Sequence, residues 1–385
     1  MRRSGARRVL AGVLLLWAFM QAGWAQERKT IALGFTGRLS EPIAQSALQG
    51  AQLAIDEANA LAAKRRSPLR FELLPQDDHG NENFAVNIAR YYVKEKVAGV
   101  IGPWSSDAAL ATAAIYESAQ IPQIGFTATS SQWTGMGNRM PFRVVGGTRE
   151  LAATLAEVAT RSLQGRRIFV IQSDAAYSRA LADTLVENLG GSAQQIALAR
   201  YQVGRRSTDF HAALKAAEAH QADVIVFVGL YPQARAFIDG ANRTRTTARL
   251  LLTGGASNLS LPAPLELRLH VLEYEIARPH CPQWKVVTQT YQRRFGAAPT
   301  TYSFYAYDAA SVLTAAIVQA GSDNGDKIAT ALHRMRHAGL HGTLSFDATG
   351  ANAHPRYTLL RYQERWQAVE VFAPGSANAR QEACS

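Results

Sequence analysis

Two successive rounds of short apolar runs alternating with amphipathic stretches constrain this chain more than any other feature. In the first round, residues 30–35, 69–74, 97–101 and 121–126 read as strands, with helices predicted over 43–62, 84–94 and 108–117. After an extended segment at 141–145 the alternation restarts. Strands are predicted at 167–171, 196–201, 223–228 and 250–253, with helices over 149–163, 177–189, 210–219 and 233–242. Strand–helix alternation of this kind returns each strand parallel to the last and covers both sheet faces with helices. The expected fold is therefore α/β, with two doubly wound parallel-sheet lobes. Beyond an extended run at 269–276 come three predicted helices, at 283–295, 302–320 and 327–338, then short strands at 343–346, 357–362 and 366–372. Open parallel sheets hold ligands beyond the carboxyl ends of their strands, so two facing sheets predict a binding cleft between the lobes.

The first 25 residues stand apart from this pattern. Arg2, Arg3, Arg7 and Arg8 precede an apolar run from Val9 to Met20, and a small-x-small site follows at Gly23-Trp24-Ala25. This is the pattern of a secretory signal peptide cleaved near Ala25. The apolar run is well short of the roughly 20 residues that span a bilayer, and no cysteine follows it to carry a lipid anchor. The expectation is an exported, periplasmic protein that is not membrane-anchored. The formal charge of +11 falls to +7 without the four leader arginines. The basic residues are scattered and form no nucleic-acid motif, so no nucleic-acid partner is expected. The two cysteines, Cys281 and Cys384, permit a disulfide in an oxidising compartment, and geometry decides whether it forms.

Three segments at predicted strand ends carry candidate binding chemistry. Ile101-Gly102-Pro103-Trp104-Ser105-Ser106-Asp107 ends one strand and opens a helix. Its serines either cap that helix or, with the free amides there, bind an anionic group. Trp104 is either core filler or a ligand wall. Thr127-Ala128-Thr129-Ser130-Ser131 places four hydroxyls in five residues beyond the strand ending at Phe126. Ser173-Asp174-Ala175-Ala176-Tyr177 follows a strand of the second half, from which Tyr177 would reach the cleft.

In order and spacing, IGPWSSD, PQIGFTATSS, SDAAYSRA and FVGLYPQA resemble the type I periplasmic solute-binding proteins of branched-chain amino acid (leucine/isoleucine/valine-binding) ABC transporters. The opening TGRLSEPIAQSALQGAQLAIDEANA, the pair Asp77-Asp78 and Tyr305-Ala306-Tyr307-Asp308-Ala309 add to the resemblance, which spans the mature chain. It implies a type I periplasmic binding fold with a three-strand hinge crossing near 142–146, 271–275 and 343–346. Lobe I would comprise 26–143 and 276–343, lobe II 144–275 and 344–373, and 374–385 a tail. It also implies ligand contacts from Trp104, Ser105, Ser106, Thr127, Thr129, Tyr177 and Tyr231, with Ser106 meeting a ligand carboxylate. The partners implied are a small-molecule ligand and the membrane permease of an ABC transporter, with the binding protein itself a monomer.

One departure bears on the ligand. Amino-acid-binding members place a carboxylate after the strand matching 250–253, where it pairs with the ligand ammonium. This chain reads Thr253-Gly254-Gly255 there, with Gly254 at the acidic position. A buried ammonium without a partner charge costs several kcal/mol. The expected ligand lacks an α-ammonium: an aromatic or other organic acid, an amide or an apolar compound, unless Asp174 or Asp308 reaches in. Branched-chain amino acid binding, and a periplasmic sensor or carrier without an ABC partner, are the alternatives. The positions of the family's early disulfide, Gly80 and Ser105, are vacant as well.

Signals for other chemistry are weaker. His333, His337 and His341 recur every four residues, but no acidic or cysteine partner lies nearby in sequence, and the expected reading is a basic face without metal. Gly34-Phe35-Thr36-Gly37-Arg38-Leu39 lacks the third glycine of a dinucleotide loop. No G-x-S-x-G occurs, and Asp77-Asp78 reads as a turn. No nucleophile, base and orienting group assemble, so neither enzyme activity nor a cofactor is expected.

Overall fold

The computed structural model describes residues 29–191, 195–261, 268–274 and 281–374. The predicted signal peptide, Cys384 and the tail beyond Pro374 lie outside the described residues, and with Cys384 goes the question of its pairing to Cys281.

The first sheet is built from β1 (Lys29–Gly37), β2 (Leu69–Asp77), β3 (Gly99–Ile101), β4 (Gln123–Gly125) and β5 (Pro141–Arg143). Between them run α1 (Pro42–Lys64), α2 (Glu82–Lys94), α3 (Ser106–Ser118) and the short α4 (Ser131–Gly135). Strand order is β2-β1-β3-β4-β5, and every pairing is parallel. β1 is therefore internal, which is why Ile31, Leu33 and Phe35 are buried.

The second sheet begins after α5 (Thr148–Glu157), which runs on into a π-helical turn at Val158–Ser162. Its elements are β6 (Arg167–Ser173), α6 (Ala176–Gly190), β7 (Ala197–Val203), α7 (His211–Ala219), β8 (Val224–Val228), α8 (Tyr231–Thr244), β9 (Arg249–Leu252) and β10 (Arg268–Tyr274). After β10 the chain forms α9 (Pro282–Phe295), α10 (Thr301–Ala320), α11 (Gly325–Arg334) and a two-stranded ribbon of β11 (His337–Gly339) and β12 (Gly342–Leu344). It closes with β13 (Tyr357–Gln363) and β14 (Arg365–Phe372) on the edge of the second sheet. That sheet has the order β14-β13-β10-β9-β8-β6-β7, with only β13 and β14 antiparallel to their neighbours. Each lobe is thus assembled from separated stretches of chain. Helices α9 to α11 join the first lobe's core, and Leu344 and Phe346 still belong to it. The chain regains the second sheet only at Tyr357, where β13 pairs with β10.

One predicted element changes shape. The helix expected over 327–338 stops at Arg334, and His337 lies in β11. The cause is a contact distant in sequence. Asp308, buried within α10, accepts hydrogen bonds from the backbone amides of Leu340 at 2.7 Å and His341 at 3.2 Å. Those bonds hold the turn of the ribbon, and satisfying a buried carboxylate outweighs another helical turn.

Candidate functional site

A cavity of about 480 Å³ lies between the two sheets, lined by the segments that follow β1, β2, β3 and β4 on one side and β6, β7, β8 and β9 on the other, with the last residues of β10. Every residue singled out from the sequence lines it: Trp104, Ser105, Ser106, Thr127, Thr129, Tyr177 and Tyr231. Their chemical availability differs.

On the first lobe, the Ser105 hydroxyl accepts a hydrogen bond from the Ala108 amide at 3.1 Å and so caps α3. Capping leaves Ser106 as the first helical residue. Its side chain is 4% exposed and has no hydrogen-bond partner among the described residues. Amides of a helix's first turn lack intrahelical acceptors, so this corner offers donors to an anion. Thr127 is engaged, donating to the Trp104 carbonyl. The Thr129 carbonyl accepts from both the amide and the hydroxyl of Thr148, at 2.9 and 3.0 Å. Its own hydroxyl is buried without a partner. Trp104 packs edge-on against Phe126, 5.6 Å between centroids, and lies 4.8 Å from the Tyr302 ring. Together these rings make an aromatic wall beside the polar corner.

The second lobe contributes the opposite wall. Tyr177 stands at the start of α6, its hydroxyl 3.0 Å from Thr253 Oγ1, and burial pushes it up to about 12. Tyr231 opens α8 with its ring 6.4 Å from that of Tyr302, and burial raises its hydroxyl too. Gly254 and Gly255 follow β9 with φ of +74° and +82°. A Cβ on Gly255 would sit 2.0 Å from the Tyr302 hydroxyl, which donates to the Gly254 carbonyl at 2.9 Å. Tyr302, from the first lobe's α10, therefore fills the space over the turn. Asn258 fastens the same junction. Its Nδ2 donates to Thr301 Oγ1 at 2.7 Å, and its Oδ1 accepts from the Thr301 amide at 3.0 Å.

The two acids considered as substitutes for the one missing at 254 do not line the cavity. Asp308 is spent on the ribbon turn and on His341 Nδ1 at 2.6 Å. Asp174 accepts the Arg205 amide at 2.6 Å near the rim. Glu41, Glu82 and Asp107 line the cavity from the first lobe, and the second lobe contributes Glu273, near the end of β10 and 3% exposed. Its Oε1 accepts from the Ser257 amide at 3.1 Å and the Ser257 hydroxyl at 2.8 Å. Burial pushes its carboxyl up to about 7 against those bonds. Sequence reasoning missed Glu273, Tyr274 and Tyr302. The run 269–276 also carries His270 and Glu275, so nothing in the sequence set Glu273 apart.

The three periodic histidines separate in space. His333 Nδ1 is 3.1 Å from the Asp347 carbonyl, His337 Nε2 is 2.8 Å from Ser311 Oγ, and His341 meets Asp308. Among the described residues no three side chains of metal-binding type converge. Asp77 and Asp78 hold a turn: the first accepts the amides of Leu39 and His79 at 3.0 and 2.8 Å, the second that of Gly80 at 2.8 Å.

Comparison with known proteins agrees with this layout. The sequence model of the periplasmic binding protein family matches residues 31–365. A Leu/Ile/Val-binding protein of Rhizobium johnstonii is 23% identical, over 89% of this chain and 93% of its own length. The crystal structure of a leucine-binding protein from Thermotoga maritima superposes with a TM-score of 0.80 at 23% identity, covering 89% of this chain and 99% of that one. An ABC-transporter solute-binding protein from Rhodopseudomonas palustris, solved with 3,4-dihydroxybenzoic acid, superposes with a TM-score of 0.74 at 19% identity, covering 89% and 96%. At these identities the structural matches establish the two-lobed fold alone.

Proposed function

This chain belongs to the periplasmic binding protein family, and from that premise we propose that it captures a small organic acid without an α-ammonium and delivers it to an ABC-type permease. The family is one of solute-binding proteins rather than enzymes and serves in the periplasm. Among the described residues no helix is long and apolar enough to cross a membrane.

One observation carries the ligand reading. Two unpartnered hydroxyls, Ser106 at the start of α3 and Thr129 in the segment after β4, line the cavity with an aromatic wall, while the turn opposite carries glycine and a tyrosine hydroxyl rather than an acid. The first corner suits a carboxylate, and the rings of Trp104, Tyr302 and Tyr231 suit a flat or apolar body. The Rhodopseudomonas protein with bound 3,4-dihydroxybenzoic acid supports such a ligand on this fold. The proposed contacts are Ser106, Thr129 and the Ser106–Asp107 amides to the carboxylate, with Tyr177 closing from the second lobe. Ser105, Thr127, Trp104 and Tyr231 shape the walls.

A branched-chain amino acid is the second reading. It is favoured by the names of several relatives and by Glu273, an acid inside the cavity. Titration calorimetry with 3,4-dihydroxybenzoate and with leucine separates the two. The proposal expects heat from the first, and a loss of roughly tenfold or more in affinity for Ser106→Ala, the worth of a hydrogen bond to a charged group. Tight leucine binding with no response to carboxylic acids would overturn it.

A further inference from the structure

We propose that Glu273 selects the ligand's far end: it accepts a single neutral hydroxyl donor there and turns away a second carboxylate. This deepens the reading above and rests on it, since it presumes a carboxylate held near Ser106.

Glu273 sits beside the vacated acidic position. The parallel register of β9 and β10 pairs Leu252 with Val271, and carrying it two residues further sets Gly254 beside Glu273. The acid that the second lobe brings to this cavity thus lies on the neighbouring strand. No lysine, arginine or histidine forms an ion pair with it among the described residues. The titratable side chains that act on it are the hydroxyls of Tyr177 and Tyr302, both held protonated by burial. The cavity's cations, Arg38, Arg205 and Arg206, make no ion pair with it, so its charge, once ionised, acts on whatever lies beside it.

The acceptors around it decide what it can receive. An ammonium brings three N–H donors and requires several acceptors once water is excluded. Next to Glu273, the Gly254 carbonyl already accepts from Tyr302, and the Thr253 hydroxyl is already engaged with Tyr177. Glu273 Oε1 itself carries both Ser257 bonds. Every acceptor group here already carries at least one bond, so three ammonium donors compete for what is left, whereas a hydroxyl has only one to place. A carboxylate would meet a like charge in a poorly screened setting. The Tyr274 hydroxyl, buried without a partner, is a further donor in the cavity lining. The ligand class is then an aromatic or similarly flat monocarboxylate bearing a hydroxyl remote from the carboxylate.

Three para-substituted benzoates and leucine test this on the full-length mature protein, by calorimetry at fixed salt and about pH 8, where Glu273 is ionised. The benzoates carry hydroxyl (4-hydroxybenzoate), carboxylate (terephthalate) and aminomethyl groups. The wild type should prefer 4-hydroxybenzoate to terephthalate by about tenfold or more, since a buried like-charge contact is worth at least that. This preference needs no variant. Glu273→Gln keeps the acceptor for Ser257 and removes the charge, so it should narrow that ratio to within about threefold. An unchanged ratio in a variant with an unaltered circular dichroism spectrum would overturn the inference. So would tightest wild-type binding of the aminomethyl compound that Glu273→Gln abolishes. Binding of leucine alone would overturn the ligand reading of the previous section, whatever Glu273→Gln then does. Silence of all four probes would overturn it too.

Discussion

At the scale of single residues, the useful distinction is between hydroxyls already spent on the protein and hydroxyls left over. Ser105 and Ser106 are adjacent and chemically identical, yet one caps α3 and the other faces the cavity without a partner. The sequence placed both at a helix start but could not divide the roles, because capping depends on backbone angles that spacing does not report. Thr129 and Tyr177 were legible for a simpler reason: each follows a predicted strand at its carboxyl end. Glu273 was not legible, since its strand also carries Arg268 and His270 and no spacing marks one of them for the cavity. Its burial gives a stability prediction. A carboxyl whose folded pKa is raised from 4.5 to about 7 binds more protons in the folded state than in the unfolded one. Stability should therefore fall as pH rises from about 4.5 to 7 and level off above, by at most about 3 kcal/mol. Glu273→Gln should flatten that window in chemical denaturation series. An identical slope in the variant would assign the pH dependence to other groups.

At the scale of elements, strand and helix positions followed from periodicity almost throughout, because an internal parallel strand is a short apolar run and its crossover helix is amphipathic. The departures occur where a distant side chain decides. α11 ends early because Asp308 captures the amides of Leu340 and His341 across 32 and 33 residues of sequence, and no local pattern encodes that contact. The turn after β9 is similar: Gly254-Gly255 read as an absence of acid, while its structural purpose is to admit Tyr302. Gly255→Ala should accordingly lower the thermal midpoint by several degrees. A Cβ at 2.0 Å from the Tyr302 hydroxyl, on a backbone with φ of +82°, costs about 1–3 kcal/mol. The double variant with Tyr302→Phe should recover part of the loss by removing the nearest of three clashing atoms, and differential scanning calorimetry reads both. A Gly255→Ala protein as stable as wild type would contradict the steric account.

At the scale of the whole molecule, the two lobes touch through contacts of unequal weight. Arg205 reaches from the second lobe to Glu82 at 3.4 Å and Asp107 at 4.0 Å. These groups are largely solvated, and exposed pairs contribute about 0–1 kcal/mol. Arg205→Ala should change ligand affinity less than about threefold, and a tenfold loss would show the rim pair to matter more than its exposure implies. Closure should depend instead on the ligand bridging Ser106 and Tyr177, because a ligand shifts the balance only by binding the closed form better. The two-lobed architecture was legible from the doubled alternation. Nothing in a local pattern says which sheet a late strand will join, and β13 pairs with β10 across 83 or more residues of sequence. The most direct test of the central claim is mass spectrometry of the small molecule released from protein purified out of its native periplasm. The account predicts a hydroxylated monocarboxylic acid without an amine, in near-stoichiometric amount. Recovery of leucine, isoleucine, valine or another α-amino acid would contradict it.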